Sequence, residues 1–516
     1  MASDKTQKES PNKLLATALS KAKAASQEGV LRASDLERGV KERLSAAGCL
    51  MEVMKGWYLL TKPGADGTST AWFGGFWSFL KYYLSDRFGK NGYCLSAETS
   101  IDLHSGENAI SNQLTIITKK NSNQTIDLPH NTSLFLYADN KNFPAEVENK
   151  NGLNVMPLAL ALCRLAPSYY SNKPLNAEIA LRLLTSVAEV SRILLDTQSV
   201  NAASRLAGAY DALGEPNKAK QIVGDMAAAG NVLKPVNPFQ SYEPTFSGHI
   251  KLDSPYSGRI EALWAKMRPY VLKIFPDEPG LPKTAGKTLK VIQELYSQDA
   301  YHSLSIEGYQ VTEELINKIA DGNWDPESSE YDKNQMNALA AKGYHDAFQT
   351  VIDSVDKVFK RGKSAGEIFE EDLQTWYRQL FSPSVQANLL KASDLAGYRN
   401  APVYIRNSRH VPLPFSAVTD SIETLFKVLK QEESAAVRSV LGHFIFVYIH
   451  PYMDGNGRIG RFLMNLMLVS GGYNWTVIRV ERRKEYMESL EQASVHEDIA
   501  PFAKLILSEM KHWKTL

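Results

Sequence analysis

The densest group of chemically active side chains lies in the string HPYMDGNGRIGR, residues 450–461. His450 is the one side chain of this string that can accept a proton near neutral pH. Asp454 is a natural Mg²⁺ ligand beside a phosphate, because Mg²⁺ takes one or two carboxylates together with phosphate oxygens. Arg458 and Arg461 supply guanidinium groups that bind phosphate oxygens. These residue types predict a site for a polyphosphate, a divalent cation and one general base.

Two predicted helices and the loop between them position these groups. The apolar stretch Val437–Ile449 predicts a helix that ends at His450, which a proline follows. A second helix is predicted to begin near Asn456, in a loop whose glycines permit positive φ, Gly455 and Gly457. Free N–H groups at the start of a helix attract an anion, and the two arginines, three residues apart, share a helix face. The base, the carboxylate and the guanidinium groups therefore converge on one anion site.

The string resembles the Fic family motif, HPFxDGNGRxxR, and matches it at every chemical position, with Tyr452 in place of Phe. A β-hairpin flap precedes the motif in that family and aligns the target segment by strand pairing. GYRNAPVYIRNSRHVPLP, residues 397–414, resembles this flap, and its predicted strand consists of Val403, Tyr404 and Ile405. RRKEYMESLEQA and DIAPFAKLI resemble the two helices that follow the motif. The resemblance covers residues 284–510.

Fic enzymes transfer AMP from ATP to a protein hydroxyl group. The resemblance implies that His450 deprotonates a Ser, Thr or Tyr of the target, with ATP as the substrate and Mg²⁺ as the cofactor. The implied nucleotide-binding residues are Asp454, Gly455, Asn456, Gly457, Arg458, Arg461 and Tyr486, with Asp454 also the metal ligand. Met487 stands where relatives often have a second Tyr, and Ser494 stands where some have Asn. Which nucleobase the nucleotide site prefers is therefore open.

A second string, SLSIEG at Ser303–Gly308, matches the Fic inhibitory motif [S/T]xxxE[G/N]. Ser303 and Glu307 are four residues apart, so on a helix they share a face. The resemblance implies that Glu307 pairs with Arg461 and occupies the γ-phosphate position, with Gly308 as the last residue of the motif. ATP would then bind in a geometry unfit for transfer, which predicts an autoinhibited enzyme.

The first 65 residues predict the order helix, helix, helix and two-stranded wing. The stretch GVLRASDLERGVKERLSAAGCLMEVMKGWYLL resembles the N-terminal winged helix of the AbiEi-type antitoxin and regulator family. The first predicted helix is Leu14–Ala25, the second is capped by Ser34 and Asp35, and the third is Val40–Ala47. The predicted strands are Gly29–Leu31, Cys49–Met54 and Trp57–Leu60.

Four parts are predicted along the chain. They are a winged-helix-like domain (1–65), a mixed and then helical AbiEi-like region (66–230), a proline-rich linker with a strapping helix (231–283) and a Fic domain (284–512). The predicted class is mainly α with a smaller α+β part. It combines a C-terminal all-α Fic domain and its β-hairpin flap with an N-terminal winged helix and a mixed α/β region.

The composition of the 516 residues excludes several classes of protein. Lys and Arg number 58 and Asp and Glu 57, so the charge does not indicate a general polyanion binder. The three cysteines form no CxxC pair, which predicts a reducing compartment and no structural zinc. No targeting segment and no run of about 18 apolar residues is visible, so a cytoplasmic protein without membrane contact is predicted.

Three functions stay open at this point. The first is a self-inhibited protein adenylyltransferase that acts on a target protein, with self-modification and a homodimer as open properties. The second is de-adenylylation, in which Glu307 positions a water that removes AMP. The third is a DNA-binding regulator of an antitoxin-like system. In that case residues 1–65 would contact DNA through a helix that carries Arg38, Lys41 and Arg43, although Glu37 and Glu42 lie among them.

Overall fold

The computed structural model describes residues 11–61, 69–119, 123–246, 252, 254–282, 284–322, 332–361 and 363–514. Residues 62–68, where the predicted winged helix ends and the next region starts, lie outside this description. The chain forms two compact units, Met1–Pro255 with Val403–Val411, and Tyr256–Pro402 with Pro412–Leu516. Helices dominate both units and the described strands all lie in the first, which confirms a mainly α fold with a smaller α+β part. The finer division into four parts stays a prediction.

The first unit begins with a small helical and β-sheet module. Its elements are α1 (Pro11–Ala25), β1 (Val30–Arg32), α2 (Arg38–Ala46), β2 (Leu50–Met54) and β3 (Trp57–Leu60). The strands form an antiparallel sheet in the order β1-β3-β2. The helix predicted after Ser34 and Asp35 is only a 3-10 turn, Ala33–Asp35, because the Asp35 carboxylate accepts from the Arg32 backbone N–H at 2.7 Å and the chain becomes extended at Leu36.

A second sheet follows in the same unit. This sheet consists of β4 (Tyr93–Leu95), β5 (Gln113–Thr118), β6 (Gln124–Leu128) and β7 (Thr132–Ala138), with the helices α3 (Thr70–Phe88) and α4 (Ala97–His104) beside it in the sequence. β8 (Glu148–Lys150) and β9 (Leu153–Val155) form a separate antiparallel pair. Four strands pair in the order β4-β5-β7-β6, with β5 and β7 parallel. The aromatic face of α3, with Trp72, Phe76 and Phe79 fully buried, packs in the same apolar core as these strands.

The rest of the first unit is a helical layer. It contains α5 (Leu158–Arg164), α6 (Pro167–Asn172), α7 (Pro174–Leu183), α8 (Ala188–Asp196), α9 (Val200–Ala212) and α10 (Pro216–Ala228). Its core buries Tyr170 and Tyr210 completely. The ion pair of Arg182 and Glu178 lies within α7, with Nε and Oε1 2.9 Å apart and no exposed surface. Arg182 Nη2 also donates to the Leu213 carbonyl at 3.2 Å, which connects α7 to the end of α9.

The second unit is all-helical in the part of it that is described. Its helices are α11 (Pro255–Ile274), α12 (Ala285–Glu294), α13 (Tyr296–Ile306), α14 (Glu313–Ala320), α15 (Asp332–Arg361), α16 (Ala365–Gln386), α17 (Val418–Gln431), α18 (Ala435–Ile449), α19 (Asn456–Ser470), α20 (Arg483–His496) and α21 (Ala500–Lys514). Nearly every residue of α18 is buried, as expected for a helix that is apolar on all sides. This central helix carries His450 at its end.

The strand predicted at Val403–Ile405 is wrong, since these residues form no strand. Contacts within the first unit hold the segment instead. The ring of Tyr404 packs against Gly74 so closely that a Cβ added to this glycine would lie only 2.8 Å from the ring. The Asn407 backbone N–H donates to Thr70 Oγ1 at 2.9 Å. His410 alone forms an isolated antiparallel bridge, with Ala109. Target docking by Val403, Tyr404 and Ile405 stays a prediction.

None of the helices in the described ranges has the length and apolarity needed to cross a bilayer.

Candidate active site

The end of α18 presents His450 in a left-handed backbone conformation, with φ 54°. Its ring Nδ1 lies 3.1 Å from the carbonyl oxygen of Val447. A carbonyl can only accept, so Nδ1 carries the proton and a neutral ring has its lone pair on Nε2. Nε2 has no hydrogen-bond partner among the described residues, which leaves the lone pair free for an incoming hydroxyl group.

The environment of His450 keeps its imidazole neutral. The pKa of His450 is lowered to about 4, mainly by burial, and the positive charge of Arg399 acts in the same direction. The hydrogen bond to Val447 and the charges of Glu307 and Asp454 act in the opposite direction without outweighing burial. The ring is therefore a free base across the physiological pH range.

The loop after His450 is closed by its own side chains. Gly455 has φ 84°, and a Cβ there would lie 2.8 Å from the ring of Phe381, so only glycine fits. The side chain of Asn456 accepts from the Tyr452 backbone N–H at 3.0 Å and donates to the Tyr452 carbonyl at 2.8 Å. This amide holds the loop, and a contact of its side chain with a nucleotide stays a prediction.

Asp454 is the candidate metal ligand of the site. Its Oδ1 accepts from the Gly455 N–H at 2.7 Å and its Oδ2 from Arg458 Nη2 at 3.0 Å, while 62% of the side chain remains exposed. The described residues contain no cluster of three His, Cys, Asp or Glu side chains that could hold a metal alone. A single accessible carboxylate beside an anion site fits Mg²⁺, which accepts phosphate oxygens and water as its other ligands.

Arg458 lies between two aromatic rings. Its guanidinium carbon is 5.2 Å from the ring centroid of Tyr309 and 5.1 Å from that of Phe381. Burial lowers the pKa of Arg458, but Asp454, Tyr309 and Glu307 together outweigh burial and raise it. Its Nε is buried without a hydrogen-bond partner, which leaves one donor for a ligand. A cavity of about 350 Å³ adjoins Arg458 and Asp454.

Arg461 joins α19 to the helix of the second motif. Its Nε donates to Ser303 Oγ at 2.8 Å, and its Nη2 donates to Glu307 Oε1 at 2.7 Å. A Cβ on Gly457 would lie 2.2 Å from Glu307 Oε1. The Glu307 carboxylate therefore sits against the first turn of α19, where the free N–H groups and Arg461 would otherwise receive a phosphate.

The end of α13 is fixed by Gly308 and Arg483. Gly308 has φ 93°, its N–H donates to the Ser305 carbonyl, and the next N–H donates to the Leu304 carbonyl, so the helix stops in a glycine C-cap. Arg483 Nε donates to the Ile306 carbonyl at 2.7 Å. These bonds hold Glu307 at a constant position relative to Arg461.

Asp299 is a buried carboxyl group one turn before Ser303 on α13. Its Oδ2 accepts from the Tyr344 hydroxyl at 3.0 Å. Burial raises the pKa of Asp299 to about 7, against the opposing effects of Tyr344 and Arg461. Because the folded chain holds this proton and the unfolded chain releases it at lower pH, the contribution of Asp299 to stability decreases between about pH 4 and pH 7.

Asp299→Asn should remove this pH dependence. Between pH 5 and pH 8 the wild type should lose about 2–3 kcal/mol more free energy of unfolding than the variant. Urea unfolding at both pH values measures the difference. Asp353→Asn, an exposed carboxylate on α15, is the control and should behave as the wild type does. Parallel pH profiles for wild type and Asp299→Asn would show that the carboxyl group is ionised in both states.

Tyr486 lies on α20 and is 1% exposed. Its hydroxyl group lies 2.8 Å from Nε2 of His443, so this bond joins α20 to α18. A contact of Tyr486 with a nucleotide stays a prediction. His450, the 454–461 residues and the 303–308 motif come together in the second unit, whereas Val403–Val411 belongs to the first.

Sequence reasoning missed three residues of this site. Arg399 donates to the carbonyl of His450, Tyr309 stacks on Arg458, and Arg483 caps the inhibitory helix. Arg399 lies in the GYR triplet of the flap-like segment, and Tyr309 follows the inhibitory motif directly. The sequence showed only that an Arg or a Tyr stands beside a motif. It did not indicate which residue that side chain would contact.

The part of the chain that carries this site is similar to known proteins. Residues 367–468 match the model of the Fic/DOC family. A protein adenylyltransferase Fic from Nematostella vectensis is 29% identical over 232 residues, which are 44% of this chain and 50% of that protein. Protein adenylyltransferase fic-1 from Caenorhabditis elegans is 25% identical over 271 residues, which are 52% of this chain and 49% of that protein. A probable protein adenylyltransferase from Aquifex aeolicus is 30% identical over 149 residues, which are 28% of this chain and 43% of that protein.

The chain spans about half the length of the curated relatives it matches. A solved structure of Fic-1 from C. elegans, residues 134–508, aligns with 69% of this chain and 96% of its own at 17% identity, with a TM-score of 0.37. The family match and the named relatives support a Fic assignment for the part of the chain around the site. The AbiEi-type resemblance of the N-terminal residues stays a prediction.

Proposed function

We propose that this chain transfers AMP from ATP to a hydroxyl side chain of a target protein. One observation carries the proposal: a neutral imidazole with a free Nε2 stands at the entrance of a loop that opens onto a helix N-terminus and two buried arginines. A base for a hydroxyl group and a site for a polyphosphate are the two parts that this reaction needs. The relatives named protein adenylyltransferases support the same reaction.

In the proposed reaction, His450 Nε2 takes the proton of the target hydroxyl group. The hydroxyl oxygen attacks the α-phosphorus, the bond from that phosphorus to the β-bridging oxygen breaks, and pyrophosphate leaves. The N–H groups at the start of α19 and the guanidinium of Arg458 compensate the charge on the phosphates. Asp454 would hold Mg²⁺, which supplies further positive charge to the phosphates when bound.

Autoinhibition is part of the proposal. Glu307 and a γ-phosphate are both anions that require Arg461 and the first turn of α19. They cannot share these groups, because like charges in a buried site repel strongly. ATP therefore binds with a displaced γ-phosphate until Glu307 moves away, and the α-phosphorus is not in line with the hydroxyl group.

The position of the radiolabel in ATP tests the proposal. We expect Glu307→Gly protein, incubated with Mg²⁺ and a cell lysate, to label proteins from ATP labelled at the α-phosphate and not from ATP labelled at the γ-phosphate. Chelation of divalent cations should stop the labelling. Label from the γ-phosphate alone would show a kinase, and no label from either would reject group transfer.

Removal of AMP is a second candidate, and the Glu307 carboxylate favours it. Oε1 is held by Arg461, whereas Oε2 has no hydrogen-bond partner among the described residues and the side chain is 26% exposed. Oε2 could therefore take a proton from a water that attacks the phosphorus of a modified side chain, which would release AMP and restore the hydroxyl group. A pre-labelled target should lose label with wild type and keep it with Glu307→Gln; retention with both would exclude this activity.

No observation favours DNA binding by the N-terminal module. On α2, Arg38 Nε donates to Glu42 Oε1 at 2.8 Å, and the ammonium of Lys41 lies over the Tyr58 ring at 4.7 Å. These cations already have partners, and exposed acidic side chains neutralise part of the face that would meet phosphates. We therefore assign no role in DNA contact to α2, the helix that was predicted to make it.

A further inference from the structure

Arg399 lies beneath the end of α18 with only 6% of its surface exposed. Its Nε donates to the carbonyl of His450 at 2.7 Å, and its Nη2 to that of Ile449 at 3.5 Å. Its own backbone N–H donates to the carbonyl of Pro451 at 2.9 Å. Three successive residues at the end of the helix are therefore bonded to one arginine.

The same guanidinium holds both ends of a loop. Nη1 donates to the carbonyl of Ala401 at 3.1 Å, and Nη2 donates to that of Leu413. These two carbonyls bracket residues 402–412, the stretch with the predicted docking residues. The rigid fork of an arginine can serve four carbonyls in different directions, whereas the single ammonium of a lysine cannot.

No carboxylate pairs with Arg399 among the described residues, although a buried charge normally has such a partner. Burial alone lowers its pKa to about 10, so it remains charged at neutral pH. The carbonyls at the end of α18 replace the missing carboxylate, because the last carbonyls of a helix lack partners and form the negative end of its dipole. A guanidinium kept at this cost in desolvation indicates a role that an uncharged residue would not fulfil.

That role concerns the conformation of His450. A non-glycine residue with positive φ needs surrounding contacts that impose it, and Arg399 supplies them at the His450 carbonyl. The peptide held in this way directs the ring so that Nδ1 meets the Val447 carbonyl. The positive charge of Arg399 also opposes protonation of the ring.

We propose that Arg399 is a positioning residue that holds His450 in its base-competent orientation and tautomer and joins it to both ends of the 402–412 loop. The inference rests on the proposed transfer of AMP. It is distinct from that transfer, because Arg399 contacts neither the phosphate site nor the position of the hydroxyl group. Arg399→Gln should therefore misplace the base without changing the affinity for ATP.

Kinetics of the Glu307→Gly protein with Arg399→Gln or Arg399→Lys give the first test. We expect kcat for transfer to decrease about 100-fold with either variant, since a misplacement of about 1 Å has such an effect, while KM for ATP changes less than about twofold. Arg378→Gln, at an exposed arginine of α16, is the matched control and should leave both constants unchanged. A lysine variant that restores kcat would show that charge alone suffices, which would overturn the fork argument.

The ¹⁵N shifts of the His450 ring at pH 7 give a second test that needs no activity. The wild type should show one tautomer with the proton on Nδ1, and both Arg399 variants should show a mixture of the two neutral tautomers. An unchanged tautomer together with kcat within about threefold would overturn the proposal. If the glutamine variant does not fold, the lysine variant decides the matter. If no variant transfers AMP, the proposed function fails, but the ring shifts still test Arg399.

Discussion

His450→Ala should lower the rate of AMP transfer by about 10²–10⁴-fold, because general base catalysis by a positioned side chain contributes an effect of that size. The affinity for ATP should remain within about twofold, since the phosphates contact α19 and the arginines instead of the imidazole. Transfer is measured with α-labelled ATP in the Glu307→Gly protein, and affinity is measured by calorimetry.

His496→Ala is the matched control for this prediction. His496 is exposed and ends α20, away from any motif, so its removal should leave transfer unchanged. Transfer by His450→Ala at the parental rate would show that another group, or water alone, accepts the proton. Loss of ATP binding together with transfer would show that the histidine supports the loop instead of the chemistry.

Glu307→Gly should raise transfer by about 5- to 150-fold, the range of a typical coupling between two sites. The change frees Arg461 and the first turn of α19 for the γ-phosphate. The measurement is the initial rate of α-label incorporation at saturating ATP for wild type and variant, followed both on the enzyme itself and on lysate proteins.

Glu307→Gln separates charge from shape. The amide oxygen can still accept from Arg461, but it no longer repels a phosphate, so we expect a rate between those of wild type and the glycine variant. Equal rates for all three proteins would contradict the inhibitory role. A glycine variant that loses activity would assign Glu307 to the transfer reaction itself.

The local part of the site could be predicted from the sequence. The helix, glycine loop and helix around His450 follow from short-range rules: an apolar run that ends before a proline, and glycines where φ must be positive. The i and i+4 spacing of Ser303 and Glu307 likewise placed both on one face of α13, and both now contact Arg461. Their inhibitory role stays a prediction until it is measured.

The remaining features depend on distant contacts that no local pattern encodes. Arg399 meets the His450 carbonyl across 51 positions of sequence, and its carbonyl partners carry no side-chain signal. The strand expected at Val403–Ile405 has a β-like composition, but Tyr404 packs at Gly74 and the segment forms no ladder. Tertiary packing overrode the local β propensity of this segment. The hydrogen bond of Tyr486 to His443 likewise joins residues that are far apart in the sequence.

The location of the phosphates relative to the imidazole is the central claim, and a crystal structure of the Glu307→Gly protein with Mg²⁺ and a non-transferable ATP analogue tests it most directly. We predict the γ-phosphate on Arg461, the phosphate chain at the N–H groups that begin α19, and the α-phosphorus facing His450 Nε2 across a gap wide enough for one hydroxyl group. An analogue bound elsewhere, or an imidazole turned away from the α-phosphorus, would contradict the account.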